Sequence, residues 1–185
     1  MNSASIASSF LQPTHLQNDL VKLAPIGPDD FERLYQVASD PLIWEQHPSP
    51  DRHKREVFPA FFDGAIQSKS AFLILDAATG ATIGSTRFYD FLPEAHSIAI
   101  GYTFLARAYW GGHYNSSLKS LMLHYIFEYV DTVLFHVGAQ NIRSQKAVLK
   151  LGAKKVAEME REFSGRKNMY HEYALSKADW QTRQG

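Results

Sequence analysis

The run from Ile98 to Asn115 holds the residues best suited to chemistry. It reads as a strand, then Trp110-Gly111-Gly112-His113, then a helix start at Tyr114-Asn115. Unpaired N–H groups at a helix N-terminus attract anions, and glycines let a phosphate approach the main chain. The spacing therefore points to a phosphorylated small molecule. A phosphate would approach the main chain at this glycine turn, at the positive end of the helix dipole. A second polar cluster follows at Asn141 and Ser144. Asn141 is a good helix N-cap, and Ser144 lies one turn further on.

These residues need elements to hold them. Leu118, Leu121, Met122, Tyr125, Ile126 and Tyr129 make one apolar stripe at helical spacing. Thr132 to Val137 is a β-branched and aromatic strand. Ile142 to Leu151 is a helix closed by Gly152. Upstream, Leu20 to Ala24 reads as a strand. Gly27-Pro28-Asp29-Asp30 opens a helix that Asp40-Pro41 ends. Leu42 to Asp51 is irregular and carries Trp44, Glu45 and His47. It is either a substrate wall or a core plug through Trp44. A helix is expected over Phe58 to Ser68. Ala71–Asp76 and Thr82–Asp90 form a hairpin, Ser97–Phe104 the next strand, and Lys155–Phe163 with Asn168–Leu175 a final hairpin turning at Ser164-Gly165-Arg166. This is a mixed α/β domain with one central sheet.

Ile100-Gly101-Tyr102 with Tyr109-Trp110-Gly111-Gly112-His113-Tyr114 resembles the acetyl-CoA loop of the GNAT N-acetyltransferases, in their RimJ/RimL-like branch. Asn141-Ile-Arg-Ser144 with Lys150-Leu-Gly-Ala153 resembles that family's Asn-x-x-Ser and Lys-Leu-Gly-Phe motif. Val21-Lys-Leu-Ala-Pro-Ile-Gly-Pro-Asp-Asp-Phe31 is similar to the branch's usual start. The resemblance implies a mostly antiparallel twisted sheet, splayed between its fourth and fifth strands and flanked by helices. It implies acetyl-CoA as acyl donor and a primary amine as acceptor, either a protein N-terminus or a small molecule. It also implies catalytic roles for Ser144, Asn141 and Tyr102. Cofactor contacts fall on Thr103, Phe104, Trp110, Gly111, Gly112, His113, Tyr114, Asn115, Asn141 and Ser144. Trp44, Arg87 and Tyr102 are expected to wall the acceptor pocket.

The chain departs from the family pattern in three places. His113 stands where the second loop glycine is usual, and would be strained if that position needs a positive φ. Val148 stands where other members have a tyrosine acid. Ala99 stands where many of the branch have a glutamate. Glu94, His96, Glu160 and Glu172 are left as candidate bases. The alternative reading is a non-catalytic acyl-CoA-binding or regulatory module. An α-amine is about a tenth neutral at pH 7 and a lysine only about 0.04 %, so the need for a base depends on the acceptor. A backbone N–H around Tyr102 to Phe104 could serve the oxyanion.

Composition narrows the rest. At 185 residues the chain fits one domain over 19–185, with 1–18 expected to be a flexible segment. Nineteen basic residues balance nineteen acidic ones, so no basic face for nucleic acid is implied. There is no cysteine, which excludes disulfides and thiolate metal sites. The histidines lack metal-ligand spacing, so no metal is expected. No signal peptide or run of about 20 apolar residues is present, so a cytoplasmic protein without membrane contact is expected. Exposed strand edges leave a homodimer open.

Overall fold

A computed structural model describes residues 10–163 and 166–183. Eight strands form one sheet. Along its width they are β1 (Leu16–Gln17), β2 (Val21–Pro25), β3 (Ala71–Asp76), β4 (Thr82–Leu92), β5 (Ser97–Leu105), β6 (Thr132–Gly138), β8 (Arg166–Ser176) and β7 (Lys154–Phe163). Neighbours are antiparallel except β5 and β6. The helices are α1 (Phe31–Ala38), α2 (Phe58–Ser68), α3 (Tyr114–Ile126), α4 (Ile142–Lys150) and α5 (Lys177–Thr182).

Alternation along the strands sends side chains into two cores. Phe72 and Ile74 of β3 join Ile98 and Ile100 of β5 and the apolar stripe of α3, Leu118, Met122 and Ile126. Ala71 and Leu73 face the other way, onto Leu34 of α1 and Phe58, Phe61 and Phe62 of α2. Strand β5 changes parity midway. Ile98, Ile100 and Leu105 lie in the first core, but Phe104 lies in the second. A single extra residue explains this. Opposite β4 the register jumps from Arg87↔Gly101 to Ser85↔Phe104, and Tyr102 has φ +51°. A bulge of this kind flips every later side chain to the opposite face.

Two elements and one segment differ from the sequence expectations. Strand β1 and helix α5 were not expected, both being too short for a periodic signal. The flexible segment placed at 1–18 does not extend over its described part. Phe10 is buried, stacked on Tyr129 at 4.7 Å and edge-on to Phe91 at 5.2 Å, and the Tyr125 hydroxyl donates to its carbonyl at 2.7 Å. Leu16 pairs with Leu23 in the sheet. A single aromatic anchor in a Ser-rich stretch gives no pattern to read. Residues 1–9, and Ser164 and Gly165 of the last turn, lie outside the described residues. Among the described residues no helix is long and apolar enough to cross a membrane, and no group of His, Asp and Glu side chains is arranged to hold a metal ion.

Candidate active site

The sheet opens where β5 and β6 part. Their parallel ladder covers only Ser97↔Thr132, Ile98↔Val133 and Ala99↔Leu134. Beyond it β5 stays with β4 as far as Leu105, and β6 stays with β8 as far as Gly138. With β1 left out of the count, this is the gap expected between the fourth and fifth strands. A cleft of about 130 Å³ fills it, walled by Ile100 to Thr103 on one side and Phe135 to Gly138 on the other. The Tyr102 bulge borders this cleft. A non-glycine residue in the left-handed region costs about 1–3 kcal/mol and persists where the surroundings impose it. Here Arg87 lies over the Tyr102 ring at 4.1 Å and Tyr89 meets it edge-on at 5.1 Å. Gly84 of β4 admits the bulged strand, since a Cβ there would lie 2.0 Å from the Phe104 carbonyl oxygen. A wider hollow near Trp180 and Phe127 shares no lining residue with this cleft.

The glycine turn stands at the start of α3. Gly111 has φ +72°, and nothing lies within 4 Å of a Cβ built at Gly111 or Gly112, so the turn faces open space. His113 is the N-cap residue with φ −88°. The strain expected at His113 is therefore absent: the positive φ falls on Gly111, one residue before the double-glycine step ends. The first turn of α3 carries no acid, and its free N–H groups give the positive end expected of a helix start. These features fit a pyrophosphate. The aromatic side chains nearby support the turn. The Trp110 indole donates to the Leu105 carbonyl at 2.8 Å and carries the Arg143 guanidinium on its face at 3.9 Å. The Tyr114 hydroxyl donates to Asp76 at 2.7 Å.

Helix α4 flanks the opposite side. Asn141 accepts from the Ser144 N–H at 3.1 Å, so it is the N-cap, and it is buried. Asn141, Ser144 and Asn115 all line the cleft. Val148 lines it too, so the position at which the resemblance leads one to expect a tyrosine faces the cleft but offers no proton.

The other wall is aromatic. Trp44 is 2 % exposed and its Nε1 donates to the Ala38 carbonyl at 2.7 Å. It packs on Phe104 and Phe61 while one face borders the cleft. Trp44 is thus a core plug that also borders the cleft. Arg52 is 4 % exposed, with its guanidinium 5.0 Å from the Trp44 ring and 4.8 Å from Phe61. Burial pushes its pKa down to about 10, which leaves it charged at neutral pH. His47 Nδ1 accepts from the Ser49 N–H at 2.9 Å. Burial, helped by Arg52, lowers its pKa to about 3, so it is neutral. Arg87 does not line the cleft. It lies behind Tyr102, donates to the Phe61 carbonyl at 3.4 Å, and props the bulge.

Two proton-handling groups went unread in the sequence. Lys119, on the second turn of α3, is 6 % exposed and lines the cleft. It donates to Thr103 Oγ1 at 2.8 Å, and Thr103 bonds Thr86 at 2.8 Å. Burial lowers its pKa to about 7. Its place in the α3 stripe looked like an ordinary polar helix position. The second is His136 of β6. Its Nε2 lies 2.9 Å from the Glu172 carboxylate and 3.1 Å from the Arg161 guanidinium, and its Nδ1 shares a hydrogen bond with the Tyr89 hydroxyl at 2.8 Å. Burial lowers the His136 pKa, against the opposing pull of Glu172. Glu172 is thus joined to the cleft, while Glu160 pairs with Lys167 and His96 with Asp131. Thr103 reaches the cleft, but its hydroxyl is engaged by Lys119. The Phe104 ring is in the second core.

A model of the acetyltransferase (GNAT) domain family matches residues 21–154. Solved structures share the fold. A GCN5-related N-acetyltransferase from Brucella melitensis superposes with TM-score 0.78 at 17 % identity, covering 90 % of this chain and 80 % of that one. RimJ from Mycobacterium smegmatis, in complex with CoA-disulfide, gives 0.67 at 17 % identity, with coverage of 86 % and 83 %. Spermidine N-acetyltransferase from Vibrio cholerae, in complex with CoA and spermine, gives 0.65 at 16 % identity, with coverage of 89 % and 99 %. The splayed sheet, the glycine turn and the Asn-capped helix thus occur in a chain that belongs to the GNAT acetyltransferase family.

Proposed function

We propose that this chain is an N-acetyltransferase of the RimJ/RimL-like kind, transferring acetyl from acetyl-CoA to a primary amine by direct attack. The observation that carries the reading is the gap between β5 and β6. A bulged strand borders it on one side and a capped helix on the other, with an anion-receptive turn at its end. The pantetheine arm would lie between the strands, and the pyrophosphate on the turn at Gly111–Asn115. The structural neighbours with CoA bound support the donor.

The neutral amine attacks the thioester carbon, forming a C–N bond. The tetrahedral oxyanion is met by a backbone N–H of the bulge at Tyr102 to Phe104, a site held rigid before reaction. Collapse breaks the C–S bond, and Ser144 hands a proton to the leaving sulfur. Ser144 is refilled from the nitrogen, which sheds its proton as the amide forms. If the acceptor arrives as an ammonium, its first proton goes to neutral Lys119 or to solvent. His113 in ordinary helical geometry and Lys119 in the cleft weaken the case for a non-catalytic module.

The test is thiol release from acetyl-CoA with a panel of amines, with the acetylated product identified by mass spectrometry. Turnover with at least one amine is expected, and Ser144→Ala should lower kcat by about 10²-fold. Tight acetyl-CoA binding without turnover of any amine would leave the binding module as the better account.

A further inference from the structure

Among the described residues that line the cleft, Lys119 is the only lysine. It follows Asn115 by one turn of α3, so the two share a helix face, and both border the gap. The Lys119 side chain is buried. Its Nζ reaches β5, where it donates to Thr103 Oγ1 at 2.8 Å, and it stands 6.0 Å from the centre of the Phe135 ring of β6. The amine therefore sits where the two strands part, beside the bulge at Tyr102. Burial, with no carboxylate beside it among the described residues, lowers its pKa to about 7. At neutral pH about half of it is uncharged, against about 0.04 % for an exposed lysine. Giving one N–H to Thr103 does not use the lone pair of that neutral amine.

Building on the acetyltransferase reading, we infer that Lys119 is a self-acetylation site: with acetyl-CoA in the cleft and no other amine present, its Nζ takes the acetyl group. Nζ attacks the thioester carbon and forms the C–N bond. The C–S bond breaks, and its electron pair leaves on sulfur. The proton shed by the nitrogen ends on that sulfur, so CoA departs as the thiol. A lysine desolvated in an apolar site is an activated nucleophile. One held in the donor's own cleft also gains the effective concentration of an intramolecular reaction. The product is an amide with no basic nitrogen. It can no longer take a proton from an incoming ammonium, and its acetyl group occupies space in the cleft. The modification is therefore a brake that engages when acceptor is scarce.

The test incubates the protein with acetyl-CoA alone at neutral pH and follows each lysine by peptide mass mapping. Lys119 should be acetylated at least about tenfold faster than any other lysine. Acetyl phosphate, which lacks the CoA body, is the comparison donor and should show no preference for Lys119. Excess CoA should suppress the Lys119 product and leave the other lysines unchanged. Protein acetylated at Lys119 should lose amine turnover by about tenfold or more. Equal preference for Lys119 with acetyl phosphate, or no suppression by CoA, would show only the reactivity of a low-pKa amine and overturn the inference. Unchanged turnover after modification would overturn the brake. Amine turnover measured on the same sample separates this inference from the reading beneath it. If an amine turns over and Lys119 stays unmodified, self-acetylation falls and the acetyltransferase reading stands. If Lys119 is acetylated and no amine turns over, self-acetylation stands and transfer to a free amine falls. If neither occurs, both fall.

Discussion

The two sides of the cleft are made of different material. The side proposed for the acyl donor is main chain: a left-handed glycine, the start of α3 and the capped start of α4. The side proposed for the acceptor is side chain: Trp44, Arg52, Phe61 and Tyr102 meet there from four separate segments. Main-chain recognition depends on conformation and tolerates changes of side chain. His113 occupies a glycine position of the family pattern without strain because its φ is −88°. Side-chain recognition here is also core packing, so the acceptor wall cannot change without changing stability. Donor and acceptor specificity should therefore respond differently to substitution.

The largest effect belongs to the acceptor wall. Trp44→Ala removes a side chain 2 % exposed, packed on Phe61 and Phe104 and supporting Arg52. A loss of about 3–5 kcal/mol is expected, as for other buried large-to-alanine changes, read from urea unfolding at 25 °C. A loss below about 1 kcal/mol would mean that Trp44 is a detachable wall, and the contrast between the two sides would collapse.

Lys119 crosses the contrast, because it rises from α3 but bonds Thr103 of β5. Its folded pKa, about 7, lies below the usual lysine value of 10.5. Between those values the unfolded chain holds the proton and the native chain does not, so the wild type gains stability as pH rises. Measured against Lys119→Met, the gain should approach about 1.4 kcal/mol per pH unit between pH 7.5 and 9.5 and flatten below about pH 7. Urea midpoints at pH 7, 8 and 9 give the slope. A constant difference across that range would show Lys119 charged in the fold.

The same contrast separates what was legible in the sequence from what was not. The glycine turn, α3, β6 and Asn141 with Ser144 are contiguous, so periodicity and capping residues revealed them. The bulge at Tyr102 is invisible in Ile98–Leu105, because that stretch mixes aliphatic, glycine and hydroxyl residues with no strict alternation to break. Arg87 was expected on the acceptor pocket, where it supports Tyr102 from behind instead. Arg52, Lys119 and the Tyr89–His136–Glu172 chain come from residues tens of positions apart. Only tertiary packing joins them, and each looks like a surface residue in its own segment.

The donor side supplies the two smaller effects. Gly111→Val forces a β-branched residue to φ +72°, at a cost of about 1–2 kcal/mol. The turn should relax away from that φ, and acetyl-CoA affinity should fall about tenfold by calorimetry, with acceptor KM little altered.

Gly112→Ala is the sharper control. It changes the neighbouring glycine of the same turn, but residue 112 is not in the left-handed region, and a Cβ there meets nothing within 4 Å. If the turn works through one special backbone conformation, the added methyl should leave stability within about 0.5 kcal/mol and acetyl-CoA affinity within about twofold. A tenfold loss from this methyl would mean that the donor occupies the space in front of residue 112 and reads the turn by close approach. The donor side would then be sensitive to side-chain bulk after all, and the tolerance seen at His113 would be a property of one position, set by which way its side chain leaves the turn.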